Sequence, residues 1–376
     1  MFHNTTFTMW HSSSWNYAID NLLLKNMSKK ILIFNNGFRI GGIEMASVSF
    51  ANYCASKGYD VTVAALYESE REVAVNDSVN IIEPDFNKSK YKVVNIIRTF
   101  QYIRGIVRRL NPDVIVAHGE WTNGFVVFSL MGMRQRLYLQ DHMNPDIIPK
   151  LGTAHTIINR LFYRRAKGII ALSNYSKEMM MKYYHVDNIA VIPNPVREIV
   201  IDESFEGNHV VTIGRVSKEK GHIYLVKAWK KLLPEGWTLD IVGDGPEMEQ
   251  LKQEAEGVGS IVFHGFQKEI AKYLSEASVF VLPSLSECFP LALIEAMSVG
   301  KACVATDCMS GKDTIVENGK NGLLIEPGNV DEMADAIQTL ISDHKLRTQL
   351  GGAARKIKED LSADKLYKEY LDFIRV

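Results

Sequence analysis

Two carboxylates, Glu287 and Glu295, bracket the run CFPLALI, so seven residues separate them. Pro290 stands where a helix would open and Gly300 where it would stop, which predicts a helix over 290–299 with Pro290 as its first residue. The amides of Leu291 and Ala292 would then lack carbonyls behind them and face outward, as an anion requires. Glu295 lies five residues further in, about 7.5 Å along the axis. A phosphate at the helix start would meet one carboxylate on either side, and carboxylates accept hydrogen bonds from sugar hydroxyls. An ordinary surface helix with an acid at each end has the same pattern, so the pair must be read with the rest of the chain.

Cations suited to the same ligand occur elsewhere. Arg215 ends the run HVVTIGR, and Lys220 lies just before Gly221 and a helical segment. A planar fork and a point charge together neutralise a diphosphate, although solvated side chains would read the same way. Gly41 and Gly42 open a helix with the apolar face Ile43, Ala46, Val48, Phe50 and Ala51. Adjacent glycines there either bare backbone N–H groups to phosphate or serve a tight turn. VGDGPE (242–247) repeats strand, glycine and turn, with Pro246 at an expected first helical position. His118 in VIVAHGEW and His142 in LYLQDHMNPD each follow a strand-like run, as a general base, a sugar-hydroxyl partner or a cleft-edge histidine. The chain contains neither GxGxxG nor DxD. The first absence argues against a dinucleotide fingerprint. The second favours a site without metal, and no cofactor is expected.

These residues need strands and helices to position them. Apolar runs at 31–34, 61–66, 114–118, 136–140 and 168–173 alternate with helical patterns such as 43–56 and 93–110. After AVIPNPV (190–196) the rhythm restarts, with runs at 209–215, 238–245, 260–266, 279–284, 302–306 and 322–327. Helical patterns at 221–233, 246–255, 268–276, 290–299 and 329–342 intervene. Alternating β and α units predict parallel sheets with crossover helices. Two series joined by a linker predict an α/β protein of two doubly wound, Rossmann-like domains facing a cleft, at residues 28–193 and 194–359. Ligands of such sheets bind at the strands' carboxyl ends.

Net charge is −1, but residues 28–193 carry 21 Lys and Arg against 14 acids, and residues 194–376 carry 21 against 29. A basic half suggests an anionic partner. In its helical segment, Lys88, Lys90, Lys92, Arg98, Arg104, Arg108 and Arg109 flank the apolar series Val93, Val94, Ile96, Ile97, Phe100, Ile103, Ile106 and Val107. Such a helix lies on anionic lipid or packs on its sheet. Four scattered cysteines suit a reduced, cytoplasmic protein. No apolar run is long enough to span a membrane. Residues 1–27 read as a disordered extension or a mis-called start, with Met27 as the expected initiator.

Taken in this order, the motifs resemble those of the retaining glycosyltransferases of family 4, with the GT-B fold. The carrying residues are Gly41-Gly42, His142, Gly214-Arg215 with Lys220-Gly221, VGDGPE, Glu287 with Glu295, and SGKDTIVENGKNGLLIEPGN (310–329). The likeness spans about 29–375. It implies that Arg215 and Lys220 grip the donor diphosphate with the Gly42 backbone, and that His142 contacts the donor sugar. It further implies that Glu287 and the backbone of Phe289, Pro290, Leu291 and Ala292 hold the transferred sugar, that Glu295 holds the ribose, and that Gly265-Phe266 lines the base. The expected substrates are a nucleotide sugar, UDP-linked by preference, and a glycan or lipid-linked acceptor, with peripheral contact to anionic membrane and no nucleic acid. Residues 360–376 would form a helix crossing back to the first domain. The chain departs from the pattern in CMSGKD, where many members have proline after that glycine, and in its N-terminal extension. A sugar-nucleotide epimerase or a non-catalytic sugar-nucleotide binder of the same fold are the alternatives.

Overall fold

The computed structural model describes residues 29–85, 90–202, 207–308 and 313–376. The extension before Met27, Lys88 and the Ser310–Gly311–Lys312 part of the departing loop lie outside the described residues.

Among the described residues the strands form two parallel sheets. The first has the order β3-β2-β1-β4-β5-β6-β7. Its strands are β1 (Lys30–Asn35), β2 (Asp60–Ala65), β3 (Asn80–Ile82), β4 (Val114–His118), β5 (Leu137–Gln140), β6 (Gly168–Ala171) and β7 (Ile189–Val191). The helices α1 (Gly42–Ser56), α2 (Lys92–Leu110), α3 (Glu120–Ser129), α4 (Thr153–Tyr163) and α5 (Asn174–Tyr184) connect them. Both faces of the sheet are covered, which is why its strands are apolar without alternation. Along β1 successive side chains part to opposite faces: Leu32 and Phe34 join one core, Ile31 and Ile33 the other.

The second sheet repeats the plan in the order β10-β9-β8-β11-β12-β13. Its strands are β8 (His209–Ile213), β9 (Thr238–Val242), β10 (Ile261–Gly265), β11 (Ala277–Leu282), β12 (Ala302–Thr306) and β13 (Leu323–Ile325). Helices α6 (His222–Leu232), α7 (Met248–Glu254), α8 (Ala271–Glu276), α9 (Leu291–Ser298) and α10 (Val330–Ser342) follow, then α11 (His344–Ala354), α12 (Ile357–Asp360) and α13 (Ala363–Ile374). Strand order reverses direction between β1 and β4 and again between β8 and β11, which opens a crevice at each carboxyl edge.

Helix starts differ from the sequence expectation where a turn is tied down elsewhere. Pro246 precedes α7 by two residues because the turn is bound to the loop after β8, with Glu247 N–H on Val216 O at 3.1 Å. Pro290 has ψ 81°, outside the helical range, so it precedes α9 rather than opening it.

The two domains are joined twice. The linker after β7 runs beside the chain entering α13, and Val196 N–H donates to Leu361 O at 3.0 Å. Helix α13 then packs on α1, where Phe50 meets Tyr370 and Tyr367 with ring centroids 4.1 and 5.4 Å apart. Tyr370 O–H donates to Gln140 Oε1 at 2.9 Å, and Gln140 Nε2 donates to Asn194 Oδ1 at 3.2 Å. Last helix, first sheet and linker are thus locked at one buried point.

Candidate active site

Lys220 ends a 3-10 turn (Lys218–Lys220) after β8. Gly221 follows with φ +65°, and a Cβ there would sit 2.2 Å from Pro283 O. Glycine therefore lets this turn press against the segment leaving β11, where Leu285 N–H donates to Glu219 O at 2.8 Å. The approach places Lys220 Nζ 2.6 Å from Glu287 Oε1, and Ser284 Oγ donates to the same oxygen at 2.7 Å. Glu287 is only 8% exposed. Burying a carboxylate is costly unless it is paired and hydrogen-bonded in this way.

The loop carrying Glu287 is clamped by the first domain. Asn144 Nδ2 donates to Ser286 Oγ at 2.7 Å, Ser286 Oγ donates to Asp146, and Ser176 Oγ lies 3.8 Å from Cys288 Sγ. Asp313 accepts the backbone amides of Asn174 and Tyr175 at 2.9 and 2.8 Å. Across the cleft, the start of α1 faces the start of α9: a Cβ on Gly42 would lie 3.9 Å from Leu291 Cδ1. Two helix N-termini thus share one space, and their partial positive charges favour an anion between them. One expected donor is engaged, however. Leu291 N–H binds Phe289 O at 3.0 Å, which leaves Ala292 as the next outward amide.

Glu295 is buried in α9, and the Nε of Arg197 lies 3.0 Å from its Oε1. Burial raises its pKa, and the guanidinium opposes that rise. Arg197 comes from the linker, and no spacing in the sequence pairs it with a residue so distant. Ser284 and the Asn144–Ser286 clamp also went unread for want of a motif. Burial likewise raises the carboxyl of Glu44, in the first turn of α1.

His118 ends β4 and His142 follows β5, with ring centroids 5.8 Å apart. Burial lowers the His142 pKa to about 4, and burial with His142 beside it pushes His118 well below its ordinary value. Both rings are therefore neutral at pH 7. His142 Nε2 and both ring nitrogens of His118 are buried and lack hydrogen-bond partners among the described residues. Unpartnered buried polar atoms are costly, and a ligand hydroxyl would satisfy them.

Arg215 stays exposed at the end of β8 and is not drawn into the Lys220–Glu287 pair. Phe266 is 49% exposed just beyond β10. In VGDGPE the glycine requirement is structural. A Cβ on Gly243 would fall 1.8 Å from Gly214 O, so the turn packs bare backbone against the loop that carries Arg215. Among the described residues no group of three His, Cys, Asp or Glu side chains is placed to hold a metal ion.

Comparison with known proteins places the two halves separately. Residues 40–198 match the family described as Glycosyltransferase Family 4, and residues 207–343 match Glycosyl transferases group 1. An uncharacterized glycosyltransferase of Haemophilus influenzae is 27% identical over 88% of this chain and 95% of its own length. The UDP-Gal:alpha-D-GlcNAc-diphosphoundecaprenol alpha-1,3-galactosyltransferase of Escherichia coli is 28% identical over 55% of this chain and 60% of its own. Among solved structures, sucrose-phosphate synthase from Thermosynechococcus elongatus superposes with a TM-score of 0.78 at 18% identity, covering 92% of this chain and 98% of that one. That likeness bears on the fold alone.

Proposed function

Because the chain belongs to the family 4-type glycosyltransferases, a transferase enzyme, we propose that it is a retaining enzyme moving a hexose-type sugar from a UDP-sugar. The acceptor is a glycan or lipid-linked glycan of cell-surface polysaccharide or glycolipid synthesis. The observation that carries this reading is Lys220 bonded to the buried Glu287 beside two facing helix starts. A diphosphate between the helices would draw Lys220 toward itself and free Glu287 to accept sugar hydroxyls. Arg215, exposed at the cleft edge, completes the grip. His142, neutral and unpartnered, meets a donor-sugar hydroxyl, Glu295 takes the ribose, and Gly265-Phe266 lines the base.

In the reaction the bond from the anomeric carbon to the diphosphate oxygen breaks while the acceptor oxygen bonds to the same face. The acceptor proton passes to the departing phosphate oxygen. No enzyme nucleophile is required, and the protein acts by stabilising charge as it develops on the diphosphate. The base choice is supported by the UDP-sugar named for the Escherichia coli relative. No described helix is long and apolar enough to cross a membrane. We place the enzyme in the cytoplasm, touching anionic lipid through the basic first domain.

Thermal-shift measurement with UDP, GDP and their sugars tests the reading, followed by assignment of the product anomer. Stabilisation by UDP and an anomer matching the donor are expected. A preference for GDP removes the base assignment, an inverted product removes retention, and silence from every nucleotide removes the donor site.

A further inference from the structure

On the first domain, helices α2, α3 and α4 leave an apolar groove of about 550 Å³, a volume typical of small-molecule sites. Phe100 of α2, Trp121, Phe125 and Phe128 of α3, and Phe162 of α4 line it. These walls reach water: Trp121 is 71% exposed and Ile158, also lining the groove, 48%. Contiguous apolar surface of this kind marks an interaction site. One end is polar, where Glu120 Oε1 lies 2.6 Å from His155 Nε2 and accepts from Asn159 Nδ2 at 3.2 Å. That end adjoins the cleft, since Glu120 starts α3 two residues after His118. Helices α2 and α4 contain no acidic residue, whereas Lys92, Arg98, Arg108, Arg109 and Arg160 lie exposed on them.

We propose that this groove seats the isoprenoid chain of a lipid-linked acceptor, with the polar head at the Glu120–His155 end where it enters the cleft. The proposal rests on the transferase reading above. The aromatic side chains line a concavity that a single chain fills. Lys92, Arg98 and Arg160, on the half of the helices nearer the Glu120 end, attract the phosphate of such a lipid, whereas Arg108 and Arg109 lie at the far end of α2.

The test uses farnesyl phosphate, dispersed without vesicles, and calorimetry on the full chain. A Cβ on Gly124 would stand 3.8 Å from Phe162, an ordinary contact, so Gly124→Leu fills the groove from a helical position. Ile158→Glu puts a charge on the exposed wall. Saturable binding by the unaltered protein is expected, weakened at least tenfold in each variant, with UDP-induced stabilisation retained as evidence of folding. Equal binding by both variants overturns the proposal. Binding to anionic phospholipid vesicles alone overturns it in favour of surface docking. A concentration-dependent dimer abolished by Ile158→Glu, without farnesyl phosphate binding, overturns it in favour of a second copy. Absence of any UDP effect in the unaltered protein instead removes the transferase reading beneath it.

Discussion

Breaking the Lys220–Glu287 pair separates its structural role from its chemical one. At 2.6 Å, the gross attraction is about 6 kcal/mol at an effective dielectric constant of about 20. Desolvation consumes much of this, and removing one partner of a buried pair costs roughly 3–5 kcal/mol. The Lys220 side chain is 28% exposed, so solvent screening puts Lys220→Met at the low end, about 3 kcal/mol. At roughly 2–4 °C per kcal/mol for a domain of this size, Tm should fall by about 6–12 °C. Glu287→Gln should cost less, since Ser284 Oγ can still donate to the amide oxygen. The double variant leaves no buried charge unpaired, so its loss should fall below the sum of the single losses by about 2 kcal/mol. Rates should behave differently: each single variant loses about 10²-fold or more, and the double variant recovers nothing. Calorimetry and turnover on the four proteins supply both readouts. Additive stability losses would show that the pair does not form in solution, and restored turnover in the double variant would show that neither residue touches the donor.

Gly221→Ala should cost more than about 3 kcal/mol, from the positive φ and from a Cβ driven into Pro283 O; a loss under about 1 kcal/mol in denaturant titration would mean that the turn is not held there. Below pH 6.5 stability should drop. His118, His142 and His222 remain neutral in the fold while the unfolded chain protonates them, a contribution present above pH 6.5 and lost toward about pH 4. Asp141, raised to about 6 by burial, together with Glu44 and Glu295 partly offsets it by taking up protons in the fold. The net uptake on unfolding near pH 5 is one to two protons, about 1.4–2.7 kcal/mol per pH unit, and His142→Gln should flatten the slope by about 1.4; an unchanged slope would show His142 already charged. Arg197→Ala should weaken UDP affinity more at pH 6 than at pH 8, because Glu295 then protonates more readily. Equal loss at both pH values, measured by calorimetry, would assign Arg197 to the nucleotide itself.

The alternation of strands and helices was legible because most of the parallel strands are short, largely apolar runs. Strands β3 and β7 were not: the three residues of β3 follow a polar stretch, and β7 (Ile189–Val191) overlaps AVIPNPV, which reads as linker but begins as the last strand of the first sheet. Within α2 the apolar series was read as one surface, but the structure divides it. Ile103, Ile106 and Val107 pack into the core, while Val93 and Ile97 face outward. Periodicity gives a face without saying which neighbour covers it. Glu287 and Glu295 stood out through their spacing on either side of one helix start, whereas their partners Lys220 and Arg197 belong to a loop and a linker brought near only by tertiary packing. The VGDGPE glycines were read correctly as turn geometry, although only the structure supplies the carbonyl they accommodate.

The return of α13 to α1 also fixes an order of events during synthesis. Tyr367, Tyr370, Leu371 and Ile374 belong to the core of the first domain yet are synthesised only after the whole second domain. At roughly 5–20 residues per second, about 170 residues separate the two portions, a delay on the order of 10–30 s. The second domain can close in that interval, while the nascent first domain waits with Phe50 uncovered. Truncation before α13 would therefore strand the half made first.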